Sequence, residues 1–353
     1  AMTLRRTDQA QRTKTRHTQA MRRIRYHPAG NTARRKQQIQ PPCDVGVGNI
    51  VQFAYDCRHM ENPSIIFSRR LLRNRRDRIA ADFANYDFLV RAATQQLVDR
   101  LDDIKRDFPL ALDLGCHNGI AQELLQHGNK IGRLIQTDLS PHMLAHTNGF
   151  RVVCDEEWLP FADASFDLVI SAWSLHWVND LPGTLIQIRR ILKPDGLFLC
   201  VIPGAYTLHE LRVSLTHAEA AISDGVSPRI APFVDVRDAG NLLQRAGFAL
   251  PVVDSETLNV TYTDALALMR DLRGMGETNH LLQQNTAIPK RALFAKAAAH
   301  YAQHFADEDP ARIRATFELV TLTGWAPHAS QQQPARRGSG NVNLGDFFAN
   351  KPN

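Results

Sequence analysis

Between residues 109 and 204 short apolar runs alternate with segments of helix length. The runs are "PLALDLG", "RLIQTDLS", "FRVVCDE", "FDLVISAWS" and "GLFLCVIPG", with stretches such as "TLIQIRRILKPDG" between them. Parallel strands cannot be joined by a tight turn and need a helical crossover, so this alternation predicts an α/β fold: an open, Rossmann-like parallel sheet with helices on both faces. Ahead of it, over 60–108, Phe67, Leu71, Leu72, Ile79, Phe83 and Leu89 are spaced as on helices, which predicts a helical entrance to the domain. Behind it, the two prolines of "SPRIAPF" break any continuing helix and set off an insertion over 205–233. Residues 234–325 complete the sheet and add a C-terminal helical cap. There "DAGNLLQRAGF" reads as a helix closed by Gly247, "ALPVVDSETLNVTY" as a strand, "TDALALMRDLRG" and "PKRALFAKAAAHYAQHFAD" as helices, and "ATFELVTLTGW" as a late strand with one half-buried face. The polar, glycine-rich 326–353 reads as a flexible tail.

The formal charge of +6 is unevenly spread. Residues 1–59 hold 12 of the 42 Lys and Arg but 3 of the 36 Asp and Glu, so the remainder is slightly acidic. This basic arm has almost no apolar stripe, which favours a disordered, solvated segment over a nucleic-acid binder. A mitochondrial presequence would be Arg-rich too, but it needs an apolar helix face; a natural start at Met60, or a fragment boundary at Ala1, are further readings. No run approaches the roughly 18 uncharged apolar residues of a membrane span, and no secretory signal is recognisable. The expected location is the cytoplasm of a bacterium-like cell, with the mitochondrial matrix or inner-membrane surface as the alternative. Cys43, Cys57, Cys116, Cys154 and Cys200 form no C-x-x-C pair, which fits a reducing compartment, and the last three read as small core hydrophobes.

In an open parallel sheet, ligands bind beyond the C-terminal strand ends. The first such end, "ALDLGCHNG", offers Asp113, Gly115, Cys116, His117 and Gly119, the glycines allowing positive φ or close approach of a ligand to the backbone. His117 replaces a middle glycine, which tells against a pyrophosphate cradle more than against a cofactor without phosphates. Asp138 ends the second strand, 25 residues after Asp113, where a carboxylate accepts hydrogen bonds from ribose hydroxyls. Asp155 and Glu156 end the third, where an adenine amine would sit. The fourth opens at Ser171 into "AWSLHWV", which places Trp173, His176 and Trp177 at a pocket mouth. Singly each feature has a bland reading, Asp138 for instance as a charge at a helix N-terminus; the ordered set points to an adenosyl cofactor.

Through "LDLGCHNG", "TDLSPHML", "DEEWLPFADASFDLVISA" and "ILKPDGLF" the chain resembles the class I S-adenosylmethionine-dependent methyltransferases, over roughly residues 65–325. The resemblance implies that Asp113, Gly115, Cys116, His117 and Gly119 line the methionine part of S-adenosyl-L-methionine, Asp138 the ribose, and Asp155 and Glu156 the adenine, with Leu139, Met143 and Ser171 also at the cofactor. "SLHWVNDLPGTL", "TLHELRVSL", "SPRIAPF", "DLRGMGETN" and "LTGWAPHASQQQPARRGS" are similar to the arginine-hydroxylase assembly factors of respiratory complex I, mitochondrial proteins with bacterial relatives. That resemblance implies a protein client, a complex I subunit, whose arginine is hydroxylated or methylated. Two alternatives stand beside it: a small-acceptor enzyme like the malonyl-carrier-protein O-methyltransferases, and a non-catalytic assembly chaperone.

Methyl transfer asks chiefly for an aligned acceptor, because the sulfonium is already activated. His176, Trp177 and Glu277 are the candidate catalytic residues. His176 is either a base or a structural residue; Trp173 and Trp177 either shelter a cation, by about 0.5–2 kcal/mol, or pack the loop. Glu277 and Asn279, in "GMGETN", either close over the substrate or form an exposed turn. Hydroxylation normally needs iron on two His and a carboxylate, or an organic redox cofactor. His217 and Glu219 form an H-x-E string without an evident third ligand and read as a solvated helix face; no metal is expected. Arg336, Arg337 and Ser339 either bind a partner or keep the tail soluble.

Overall fold

The computed structural model describes residues 50–52, 65–126, 128–223, 225–283, 289–332 and 338–339. The expectations for the rest of the basic arm, with Cys43, Cys57 and Met60, and for Arg336 and Arg337 fall outside the described residues.

A short strand β1 (Ile50–Gln52) precedes the entrance helices α1 (Arg69–Ile79) and α2 (Phe88–Asp103), which a single turn at Phe83–Asn85 separates. The alternating region follows as β2 (Phe108–Leu114), α3 (Ile120–Leu125), β3 (Ile131–Asp138), α4 (Pro141–Leu144), β4 (Phe150–Val153), β5 (Phe166–Ala172), α5 (Leu181–Ile191) and β6 (Leu192–Pro203). Then come α6 (His209–Ala220), α7 (Val236–Ala246), β7 (Ala249–Tyr262), α8 (Ala265–Gly274), α9 (Arg291–His304) and β8 (Ile313–Trp325). The strands form one sheet in the order β1-β4-β3-β2-β5-β6-β8-β7. From β1 to β6 all pairs are parallel, as expected, and the order reverses direction beside β2, so that the ends of β2 and β5 open a crevice.

The last two strands depart from the expectation. β8 runs antiparallel to both β6 and β7. Lying between them, it is buried on most positions of both faces rather than one; the long edge strand β7 carries the half-buried pattern instead. One face of the sheet packs against α2, α6, α8 and α9, the other against α5 and α7. The stretch 205–233, expected as an insertion, carries α6 and is tied to β8 by Gly204 N–H donating to Glu318 O and Leu208 N–H to Thr316 O. Gly247 ends α7 at φ +80°, as its sequence position suggests. Cys116, Cys154 and Cys200 are all buried. Among the described residues no helix is long and apolar enough to cross a membrane.

The C-terminal end of α8 meets the turn after α1 at very short range: a Cβ on Gly274 would lie 2.4 Å from the Tyr86 ring. Replacing Gly274 by Ala is therefore expected to destabilise the protein by about 1–3 kcal/mol through overpacking, read as a lower urea midpoint. An unchanged midpoint would show that this junction yields.

Candidate functional site

The turn after β2 has three left-handed residues, Gly115 (φ +75°), His117 (φ +51°) and Gly119 (φ +89°). His117 thus adopts the conformation of the glycine it replaces, at a backbone cost of about 1 kcal/mol. Its ring is buried, stacks on Phe83 with centroids 5.4 Å apart, and points Nε2 at two carbonyls, Ala172 O at 3.3 Å and Trp173 O at 3.2 Å. Burial and the nearby Arg76 charge lower its pKa to about 3, so the ring is neutral, and the two carbonyls place its proton on Nε2. Asp113 is buried as well. Burial and the Asp138 charge push its carboxyl up to about 8, and its Oδ2 has no partner among the described residues.

Asp138 and Glu156, both with fully buried side chains, are bonded to a cation supplied by the chain itself. Arg76, two turns along α1 from Arg69, places Nη1 at 3.2 Å from Asp138 Oδ2 and 3.3 Å from Glu156 Oε1, while Nη2 donates to Ser174 Oγ at 3.1 Å. Ser174 Oγ–H in turn donates to Glu156 Oε1 at 2.6 Å. Arg69 donates to Asp155 Oδ1 at 2.8 Å, to Glu156 and to the Trp177 carbonyl. The remaining acceptor capacity of Asp138 is used by the backbone N–H of His117 and of Ser140. Burial alone would raise the Glu156 carboxyl, but the two guanidiniums and the Ser174 hydroxyl bring it down to about 2.

A cavity of about 1020 Å³ is lined by residues of α1, α6 and α8 and by residues of the segments 227–233 and 276–279. Trp173, Trp177 and Glu277 belong to its wall; Asp113, Asp138 and Glu156 do not. Glu277 Oε2 accepts from His176 Nε2 and from Trp177 Nε1–H, each at 3.0 Å. No hydrogen bond reaches Glu277 Oε1 among the described residues. Burial works to raise this carboxyl, yet His176, Arg76 and the Trp177 N–H hold it below the usual carboxylate range, so it is ionised at neutral pH. Trp177 is pinned between Phe67 and His280, with ring centroids at 5.2 and 4.3 Å. The "GMGETN" loop therefore closes onto the aromatic turn rather than standing as an exposed turn. Asn279 takes part by accepting from Arg75 through its carbonyl at 2.6 Å.

The predicted residues thus fall into two groups. Asp113, Gly115, Cys116, His117, Gly119, Asp138, Asp155 and Glu156 gather at the strand ends, whereas Trp177 and Glu277 line the cavity and His176 stands behind Glu277 through their hydrogen bond. Ser171 spends its hydroxyl inside the sheet, on Leu114 O at 2.6 Å, and Leu139 and Met143 are packed in apolar clusters. The sequence reading missed Arg69, Arg76 and Ser174. The signal was there: Arg69, Leu72 and Arg76 recur at three and seven residues, one face of a helix, inside the stretch read as a helical entrance. His217 and Glu219 do not form the solvated face expected of them. Glu219 is buried and bonded to Arg229 and Ser227, because its helix face packs on the 227–229 segment, while His217 is exposed with its ring 4.2 Å from that of His300.

Because the folded pKa of Glu156 lies below its ordinary 4.5, its carboxylate stabilises the fold fully above about pH 4.5, and that contribution is lost as pH falls towards 2. Glu156→Gln is expected to lower stability by about 3 kcal/mol at pH 7, since it leaves two buried guanidiniums under-compensated. Thermal melts between pH 7 and 2 should show the wild type and variant converging at the acid end; curves that stay parallel would contradict this account.

Residues 112–200 match the family described as "Methyltransferase domain". The "Arginine-hydroxylase NDUFAF5, mitochondrial" of Rattus norvegicus is 42% identical over 291 residues, covering 80% of this chain and 83% of the relative. The human protein of the same description is 41% identical over 289 residues, with 80% and 83% covered. A "Malonyl-[acyl-carrier protein] O-methyltransferase" of Methylovorus sp. (strain MP688) is 30% identical over 289 residues, covering 78% of this chain and 95% of the relative. At this identity and coverage, the chain belongs to the S-adenosylmethionine-dependent methyltransferase family of enzymes that includes the NDUFAF5 arginine-hydroxylases.

Proposed function

We propose that this protein binds S-adenosylmethionine and modifies, by hydroxylation or methylation, an arginine of a protein client, which the resemblance of its C-terminal motifs makes a subunit of respiratory complex I. The observation that carries the reading is Glu277, an ionised carboxylate in the wall of a cavity shared with Trp173 and Trp177. With Oε2 held by His176 and Trp177, Oε1 is left to accept from a guanidinium, whose face the indoles attract by about 0.5–2 kcal/mol. His176 and Trp177 act here as positioning residues that aim the carboxylate.

The strand ends fit the cofactor in chemistry. Asp138 suits ribose hydroxyls, Asp155 and Glu156 an adenine amine, and the Asp113–Gly119 turn with the Ala172 and Trp173 carbonyls a methionine ammonium. These acceptors already receive donors of the same kind from Arg76, Arg69 and the His117 ring. At Asp138, Asp155 and Glu156 cofactor binding therefore exchanges hydrogen bonds with α1, whereas Asp113 Oδ2 offers an acceptor that no described residue uses. When bound, the cofactor supplies a methyl group already activated as a sulfonium; the chain's own part is position and electrostatics. The relatives described as mitochondrial suggest the matrix, the bacterial ones the cytoplasm. A second reading, O-methylation of a malonyl group on a carrier protein, is favoured by the Methylovorus relative and by the arginines of the cavity, which suit a carboxylate.

Calorimetric titration with S-adenosylmethionine tests the site. The wild type should bind saturably, Asp138→Ala should lose binding, and Arg76→Gln, which weakens the competing guanidinium, should bind roughly three- to tenfold more tightly. Failure of the folded wild type to bind would leave the assembly chaperone as the reading. Intact-mass assays on candidate clients then read the reaction, a gain of about 14 Da for methylation and about 16 Da for hydroxylation. Methyl incorporation into malonyl-carrier protein alone would favour the second reading.

A further inference from the structure

The cavity is basic although the chain after residue 59 carries more acids than bases. Arg75 and Arg78 of α1 and Arg270 and Arg273 of α8 all line it. Among the described residues none of the four has an ion pair, and Asp82 and Glu277 are the acids in the wall. Arg229 also lines the cavity, but Glu219 neutralises it at 2.6 Å, and Glu277, bonded through Oε2 to His176 and Trp177, makes no ion pair with any of the four arginines. Arg78 and Arg273 lie in the last turns of their helices, where a cation offsets the helix dipole, which accounts for one charge per helix and not for four converging on one opening. Burial and the Arg78 charge both lower the pKa of Arg75, as expected of cations crowded together without a counter-charge. A separate observation comes from deeper in the wall. Trp173 is 2% exposed and its indole N–H has no acceptor among the described residues, so a buried donor there also lacks an acidic or carbonyl oxygen.

From these features we propose that the cavity docks an acidic segment of the client: an extended peptide whose Asp and Glu side chains meet Arg75, Arg78, Arg270 and Arg273 on either side of the residue that reaches Glu277. The inference rests on the reading that a client segment enters this cavity, and adds the charge of its flanks. A volume of about 1020 Å³ exceeds what one side chain fills and suits a segment of several residues. Arg270 and Arg273 are exposed and can receive carboxylates without the cost of burying them, and clustered arginines speed the encounter of an acidic segment by focusing the field at the opening.

The test uses the full-length protein with S-adenosylmethionine present and fluorescent nonapeptides carrying a central arginine. One has Asp and Glu flanks, one Lys flanks, and a third repeats the acidic flanks around citrulline. The acidic peptide should bind about tenfold more tightly than the basic one at low salt, and the advantage should shrink steeply as salt is raised. Arg270→Glu with Arg273→Glu should abolish or invert the preference while leaving cofactor binding and the melting temperature unchanged. No preference in the wild type, a flat salt dependence, or a preference that survives the double charge reversal would each overturn the proposal. The salt dependence needs no variant and decides the matter even if the double variant does not fold. Equal binding of the citrulline and arginine peptides, both preferring the acidic flanks, would uphold the docking surface and remove the arginine reading.

Discussion

Two guanidiniums from one helix neutralise three carboxylates from two strand ends, and the arrangement around the site follows from that. Asp138 and Glu156 are fully buried, and Arg76 nearly so. Desolvating such charges costs several kcal/mol per ion, which only close mutual pairing and further hydrogen bonds offset. The chain meets the condition by bringing α1 across the ends of β3 and β4 and by adding Ser174 and the N–H groups of His117 and Ser140. Once α1 is fixed in that way, its N-terminal approach is fixed too. Ile66 and Phe67 donate their N–H groups to Asn179 Oδ1, Ser68 donates to His280 O, and Phe67 closes on Trp177.

The same helix serves two walls. Arg76 faces the strand-end acids, whereas Arg75, one residue earlier and about 100° round the helix, faces the cavity and donates to Asn279 O. Asn279 belongs to the loop that brings Glu277 to His176 and Trp177. The strand ends and the cavity are therefore separate in their residues but share α1 and the aromatic turn after β5. This explains why the residues predicted together from the order of the strands separate into two groups in space.

The strand ends were legible because parallel sheets force function-bearing residues to the C-terminal edge, and Asp138, Asp155 and Glu156 each stand at the last position of an apolar run or just beyond it. Gly247 was legible as a helix stop for a local reason, its φ of +80°. What sequence could not show was long-range: the partners of Arg69 and Arg76 lie 62 to 108 residues away, and an arginine run without its acids looks like a solvated face. The direction of β8 was hidden likewise, since alternation reports which face is buried but not whether a neighbour runs parallel. His117 is an intermediate case. Its departure from glycine was plain, but not that its ring would reach the carbonyls of Ala172 and Trp173, 55 and 56 residues on.

Acids this deeply buried must have donors, and in this structure the chain provides them from α1. On the proposed reading, an adenosyl group offering hydroxyl and amine donors to Asp138 and Glu156 would replace hydrogen bonds of comparable or greater strength, because those from Arg76 are charge-assisted. Its affinity then reports a difference between two sets of bonds rather than the sum of its own. The displaced guanidinium keeps its charge at any physiological pH, so exchange requires either that Arg76 find a new anionic partner or that it reach water. The first course draws Arg76 towards Glu277, whose charge it already feels. The second moves α1 away from the strand ends and, with it, Arg75 and Arg78 at the cavity. On that reading, occupancy of the strand ends would alter the charge presented in the wall where the client segment is proposed to dock, and by linkage the client's presence would alter cofactor affinity by the same factor.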